Sequence, residues 1–143
     1  INKFKKLISL PTWSRPIANQ FIEKMKIRCF NSTQNVQFLS GGNQQKVLVA
    51  KWIQAESEIL FLIEPTEGID VGARADLYAI FRDIAKTQKK AIIIASSDID
   101  ELIELSDRII TMAEGKVVNT YPIEKADKQE ILSDILSSSR EVV

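Results

Sequence analysis

The sequence predicts an α/β protein, because two short apolar runs, Ile59–Ile63 and Ala91–Ala95, alternate with segments whose apolar residues fall at helical spacing. Pro11 and Pro16 bracket an expected break, after which Ile17, Phe21, Ile22 and Met25 keep a helical period toward Ile27. Asn31 to Gln37 is polar and reads as a loop. Asn43 to Ala55 reads as a helix, with Val47, Ala50, Lys51 and Gln54 following one another around its turns. Ile59-Leu60-Phe61-Leu62-Ile63 is continuously apolar and of strand length, the pattern of a strand covered on both faces. Pro65 and Gly68 break the chain, and Ala73 to Thr87 then carries Leu77, Ile80, Phe81 and Ile84 on one helical stripe. Ala91 to Ala95 is expected to be a second buried strand, with a helix starting at Ser97 or Asp98 whose apolar face is Leu102, Ile103 and Leu105. Arg108–Met112 and Lys116–Tyr121 read as a hairpin around Glu114-Gly115, followed by a last helix with Ile131, Leu132, Ile135 and Leu136 apolar.

Composition removes several classes of function. Lysine plus arginine equals aspartate plus glutamate at 19 each, so no net field points to nucleic acid or an anionic membrane surface. There is no histidine, which excludes imidazole zinc sites, Ser-His-Asp triads and histidine bases. Cys29 is the only cysteine, so no disulfide forms within the chain, and without a histidine to activate it Cys29 reads as a small hydrophobe. Apolar runs such as Ile92–Ala95 fall far short of the roughly 20 residues that span a bilayer. The start, Ile1-Asn2-Lys3-Phe4-Lys5-Lys6, lacks a methionine and an apolar signal-peptide core, as expected for part of a longer chain.

Chemistry concentrates in two segments. In Leu39-Ser40-Gly41-Gly42-Asn43-Gln44-Gln45-Lys46, a serine and two glycines stand directly before a helix. Backbone amides at a helix N-terminus are unpaired and lie at the positive end of its dipole, which suits an anion. Glycines let a phosphate approach the backbone, and the Ser40 hydroxyl can donate as well. Taken locally, the same pattern equally fits a plain N-cap followed by a tight turn. The second segment ends an apolar run in Ile63-Glu64-Pro65-Thr66 and continues Glu67-Gly68-Ile69-Asp70. A carboxylate at the carboxyl end of a central strand lies where open α/β sheets bind ligands, and Glu64 could there orient or deprotonate a water. In isolation Glu64 also fits a solvated strand end.

The two segments, in this order and spacing, resemble those of ATP-binding-cassette (ABC) ATPases. Leu39–Lys46 and Glu67-Gly68-Ile69-Asp70-Val71-Gly72-Ala73-Arg74 are similar to the second cassette of the tandem ATPases of ribose and galactose importers. The resemblance covers about Met25 onward and is most specific from Leu39 to Arg74. It implies the C-terminal part of a P-loop NTPase core: a mostly parallel sheet, a small C-terminal hairpin and a preceding helical subdomain. Residues 1–38 would be part of that subdomain and its linker, and residues 39–143 the signature helix and the C-terminal half of the core. By the same resemblance Ser40, Gly41, Gly42 and Asn43 are nucleotide contacts, Glu64 is the catalytic glutamate, Gly68 and Asp70 belong to a loop crossing a cassette interface, and Ser97 stands at the switch position usually held by histidine.

The sequence also departs from the family. No Gly-x-x-x-x-Gly-Lys-[Ser/Thr] is present, and all five glycines are placed elsewhere. Ile63 stands where the family has the aspartate that helps hold Mg²⁺, and isoleucine offers a hard cation no oxygen. Ser97 is read as the N-cap of the next helix, with Asp100 or Glu101 reaching back. The implied function is the ATP-binding subunit of a sugar importer, coupling ATP hydrolysis to uptake, with ATP and Mg²⁺ in the full assembly and no metal ligands in this chain. The chain alone is expected to be inactive. The implied partners are a second cassette, in tandem or as another copy, and membrane permease subunits. A periplasmic or surface sugar-binding protein acts indirectly, nucleic acid is not a partner, and the place of work is the cytoplasmic face of the membrane, peripherally. The alternative is a non-catalytic or non-transport module on the same fold.

Overall fold

In the computed structural model, which describes residues 11–137, helices and strands alternate as the sequence predicts. The order is α1 (Pro11–Lys24), α2 (Gly41–Gln54), β1 (Ile59–Ile63), α3 (Val71–Thr87), β2 (Ala91–Ala95), α4 (Ile99–Leu105), β3 (Arg108–Ala113), β4 (Lys116–Pro122) and α5 (Lys128–Ser137). Two compact units divide within β2, between Ile93 and Ile94.

In the first unit α1 runs through the position where a break was expected. Pro11 opens the helix and Pro16 lies inside it. A proline at the first helical position loses a donor that has no partner anyway, and one five residues further in removes a single early bond. The helix closes with Ile27 N–H donating to the Ile22 carbonyl at 2.9 Å and Lys26 N–H to that of Glu23 at 3.2 Å. This is a Schellman ending, in which Lys26 takes the left-handed conformation (φ 51°) usually given to glycine. The expected loop at 31–37 is largely that, although Val36–Phe38 forms a 3₁₀ turn whose N-cap, Asn35, accepts from the Gln37 amide at 3.1 Å.

α3 buries Leu77, Phe81 and Ile84 from its predicted stripe, and Tyr78 beside them. Its N-cap is Asp70, which accepts from the Ala73 amide at 2.9 Å. β1 and β2 pair in one sheet and are joined through α3. The strands are not covered on both faces, as their composition suggested. On β1 only Leu60 and Leu62 are buried (4% and 8% exposed), while Ile59, Phe61 and Ile63 are 61%, 62% and 70% exposed. β2 repeats the alternation, with Ile92 and Ile94 partly covered and Ile93 exposed.

In the second unit α4 is capped by Asp98, which accepts from the Glu101 amide at 3.2 Å. The β3–β4 hairpin forms at the predicted turn, where Glu114 (φ 49°) and Gly115 (φ 75°) both take the left-handed conformation of a two-residue hairpin loop. Ile109, Tyr121 and Ile131 form its core, flanked by Ile99, Leu102 and Ile103 of α4. α5 is tied down by Asp134, whose Oδ2 accepts from Tyr121 Oη at 2.7 Å and Thr111 Oγ1 at 2.8 Å. That bond to Asp134 holds the Tyr121 hydroxyl above its usual pKa.

Candidate functional site at the signature turn

Ser40 occupies the N-cap position of α2 in extended conformation, but its side chain makes no capping bond. Instead Ser40 Oγ accepts from Asn43 Nδ2 at 2.8 Å, and Asn43 Oδ1 accepts from the Arg28 amide at 2.7 Å. Asn43 thus links the serine to the segment that follows α1. With one lone pair engaged by an N–H, the hydroxyl proton of Ser40 is available for an external acceptor. Ser40 and Gly41 are exposed at the head of the helix, where unpaired amides and the dipole favour an anion.

The two signature glycines differ. A Cβ on Gly41 would meet nothing closer than the Gly68 carbonyl oxygen, at 3.9 Å. A Cβ on Gly42 would lie 2.5 Å from Ala73 Cβ and 3.3 Å from Ile69 Cγ2. Gly42 is therefore buried where α2 meets the start of α3. The structure brings the signature turn and the Gly68–Asp70 loop together within one chain, a juxtaposition not visible in the sequence.

Gly68 has φ 69° and open space around it, so its requirement is backbone conformation. Asp70, besides its loop position, is used as the α3 cap. Glu64 follows β1 directly and holds φ 45°, an uncommon conformation for a non-glycine residue. The turn is pinned from below by buried Pro65 and Thr66, and the Glu67 amide donates to the Glu64 carbonyl at 3.3 Å. A residue held in a sparsely populated conformation by packed neighbours is a recurrent feature of functional turns.

Ser97 is exposed and is not the cap of α4; Asp98 takes that place and its amide donates to Ser96 Oγ at 3.1 Å. A carboxylate three residues before Glu101 competes better for the helix's free amides than the serine expected there.

Lys46 and Asp76 carry a contact that sequence reading missed. Lys46 Nζ meets Asp76 Oδ2 at 2.7 Å, and Lys46 is only 3% exposed. The lysine also reaches the Lys26 carbonyl at 3.4 Å. Its hydrogen bond, chiefly, holds the Asp76 carboxyl below its ordinary value of 3.8, against the opposing effect of burial. The only sequence signal is a charged residue on the apolar side of a helix.

Mg²⁺, implied by the family resemblance, does not fit the residues present. Ile63, at the position that the resemblance gives to the aspartate, lies on the exposed face of β1, and among the described residues no group of three His, Cys, Asp or Glu side chains could hold a metal ion. Among the described residues no helix is long and apolar enough to cross a membrane.

No family model matches the chain. The xylose import ATP-binding protein XylG of Thermoanaerobacter pseudethanolicus is 40% identical over 115 residues, 80% of this chain and 23% of that protein. The ribose import ATP-binding protein RbsA of Caldanaerobacter subterraneus subsp. tengcongensis is 42% identical over 118 residues, covering 82% and 24% respectively. The arabinose import ATP-binding protein AraG of Pseudomonas savastanoi pv. phaseolicola is 38% identical over 128 residues, 90% of this chain and 25% of that one. Among solved structures, the dimeric ATP-binding cassette MJ0796 in a post-hydrolysis state with ADP and Pi superposes with a TM-score of 0.69 at 19% identity, over 81% of this chain and 50% of that one. The fold is accordingly that of an ABC ATPase cassette. More particularly, the chain is a homologue of the ribose, xylose and arabinose import ATP-binding proteins. It spans about a quarter of the length of those curated relatives.

Proposed function

We propose that this chain supplies the signature side of a composite ATP site in a sugar importer. The observation that carries the reading is Ser40, which stands at the cap position of α2 but keeps its hydroxyl out of the cap, oriented by Asn43. Ser40 Oγ and the Gly41 amide would donate to the γ-phosphate of an ATP whose other phosphates rest on the phosphate loop of a partner cassette. Glu64 would face the site on this chain's own side, positioning water at the strand end.

Several further features belong to the same proposal. The exposed row Ile59, Phe61, Ile63 and Ile93 is the face on which the remainder of the chain's own cassette would pack. Residues 1–38 would be part of the helical subdomain and its linker. Gly68 and Asp70 would face the opposing cassette, permease subunits would couple hydrolysis to sugar passage, and the assembly would sit peripherally on the cytoplasmic face of the membrane. Mg²⁺ would accompany ATP in the full assembly, on ligands outside this chain.

A second reading is favoured by one observation, the isoleucine at the metal position: a cassette-fold module without catalysis. Mg-ATP hydrolysis by the assembled importer, with and without Glu64, separates the two. The leading reading is tested by calorimetric titration of ATP into this chain, alone and with a phosphate-loop-bearing cassette. It expects weak binding alone and tight, ATP-dependent association with the cassette. Micromolar or tighter ATP binding by the chain alone contradicts it.

A further inference from the structure

We propose that Ala73 is a positioning residue that registers the signature turn against the interface loop, so that the two move as one body. The inference rests on the proposed reading of Ser40 and Gly41 as nucleotide contacts. Ala73 meets both segments at once. Its amide donates to Asp70 Oδ1 at 2.9 Å, and its Cβ occupies the space that a Cβ on Gly42 would enter, 2.5 Å away. At that separation Gly42 cannot gain a Cβ without moving a helix backbone, because the atom it would meet is a methyl fixed to the other helix rather than the end of a flexible side chain.

One turn further along each helix the contact is repeated in polar form. Lys46, four residues after Gly42, meets Asp76, three residues after Ala73, at 2.7 Å. Residues at these spacings share a helix face, so Gly42/Ala73 and Lys46/Asp76 are successive rungs between α2 and α3. Lys46 adds a third strut to the Lys26 carbonyl, and Asn43 a fourth to the Arg28 amide. Gly42 is therefore a glycine for helix approach, while Gly41, with open space before it, is the one that admits a phosphate. A shift of the Gly68–Asp70 loop then displaces Ser40 and Gly41 by way of Ala73.

The test is reciprocal. Gly42→Ala, Ala73→Gly and the double variant are compared by thermal unfolding of the full chain and by ATP hydrolysis in the assembled importer. Gly42→Ala is expected to lower Tm by roughly 5 °C and hydrolysis by about tenfold or more, with the KM for ATP little changed because the other phosphates bind the partner. The double variant is expected to recover most of both. Recovery of Tm without recovery of hydrolysis overturns the proposal, since Gly42 would then be needed at the nucleotide itself. Absence of any Tm effect from Gly42→Ala overturns the packing argument. If Gly42→Ala fails to fold, Ala73→Val, which crowds the same contact from α3, must slow hydrolysis while Ser40 is intact; unchanged hydrolysis sinks the proposal. If the unaltered assembly does not hydrolyse ATP, the functional reading fails, while the Tm cycle still decides the packing.

Discussion

The two faces of β1 are alike in composition and opposite in environment. Leu60 and Leu62 are buried, whereas Ile59, Phe61 and Ile63 on the alternate face stand mostly in the open. A strand that is apolar at every position is built for two covers, and only one of them lies among the described residues. The contrast teaches where stability and assembly are separated in this chain. The covered face holds the fold, and the open one is where we propose that the rest of the cassette packs.

The largest effect that could break this comparison comes from the covered face. Leu62→Asp places an unpaired charge where a leucine is 8% exposed, at a cost on the order of 4 kcal/mol. The full chain should lose its cooperative melt, and circular dichroism during heating checks this. Phe61→Asp, one residue away on the open face, should leave Tm nearly unchanged and instead reduce the self-association that an exposed apolar row is expected to cause, read by light scattering. Equal losses from the two substitutions would show that both faces are covered. Ile63→Asp is expected to behave like Phe61→Asp in the chain alone, with no fall in melting temperature, because Ile63 is 70% exposed.

A smaller effect sharpens the picture at the α2–α3 ladder. The Lys46 hydrogen bond lowers the folded-state pKa of Asp76, so the unfolded chain binds this proton more readily. The stability contributed by the pair is thus fully present above the ordinary carboxylate value and is lost as pH falls through the lowered one. Asp76→Asn should flatten the acid side of the Tm-versus-pH curve below about pH 4, relative to the unaltered chain. Because Asp76 is about half exposed, solvent screening keeps the difference modest.

Much of this architecture was legible in the sequence, for physical reasons. The α3 stripe has a clean helical period, and Glu114-Gly115 supplies two residues able to adopt positive φ between strand-like runs. The signature turn could be found because its glycines and serine precede a helix. Pro16 misled, since proline marks a break only where the lost bond lies deep in a helix. At the start of α4, Ser96, Ser97 and Asp98 are all cap formers, and local chemistry alone did not select Asp98. The role of Gly42 was hidden because its neighbour, Ala73, is distant in sequence and carries no polar mark. The Lys46–Asp76 pair, 30 residues apart, was hidden for the same reason. Long-range contacts between ordinary residues leave no local pattern to read.

The central claim is that this chain acts through its signature turn, at a site completed by a partner, more than through the site it lines with Glu64. The direct measurement is ATP hydrolysis by the assembled importer carrying Ser40→Arg or Glu64→Gln. Ser40→Arg puts a bulky side chain at the head of α2, into the proposed γ-phosphate contact, and should abolish most hydrolysis. Glu64→Gln alters a site that already has Ile63 where a metal carboxylate is expected, and should cost far less. Comparable losses from the two substitutions, or a larger one from Glu64→Gln, would contradict the account.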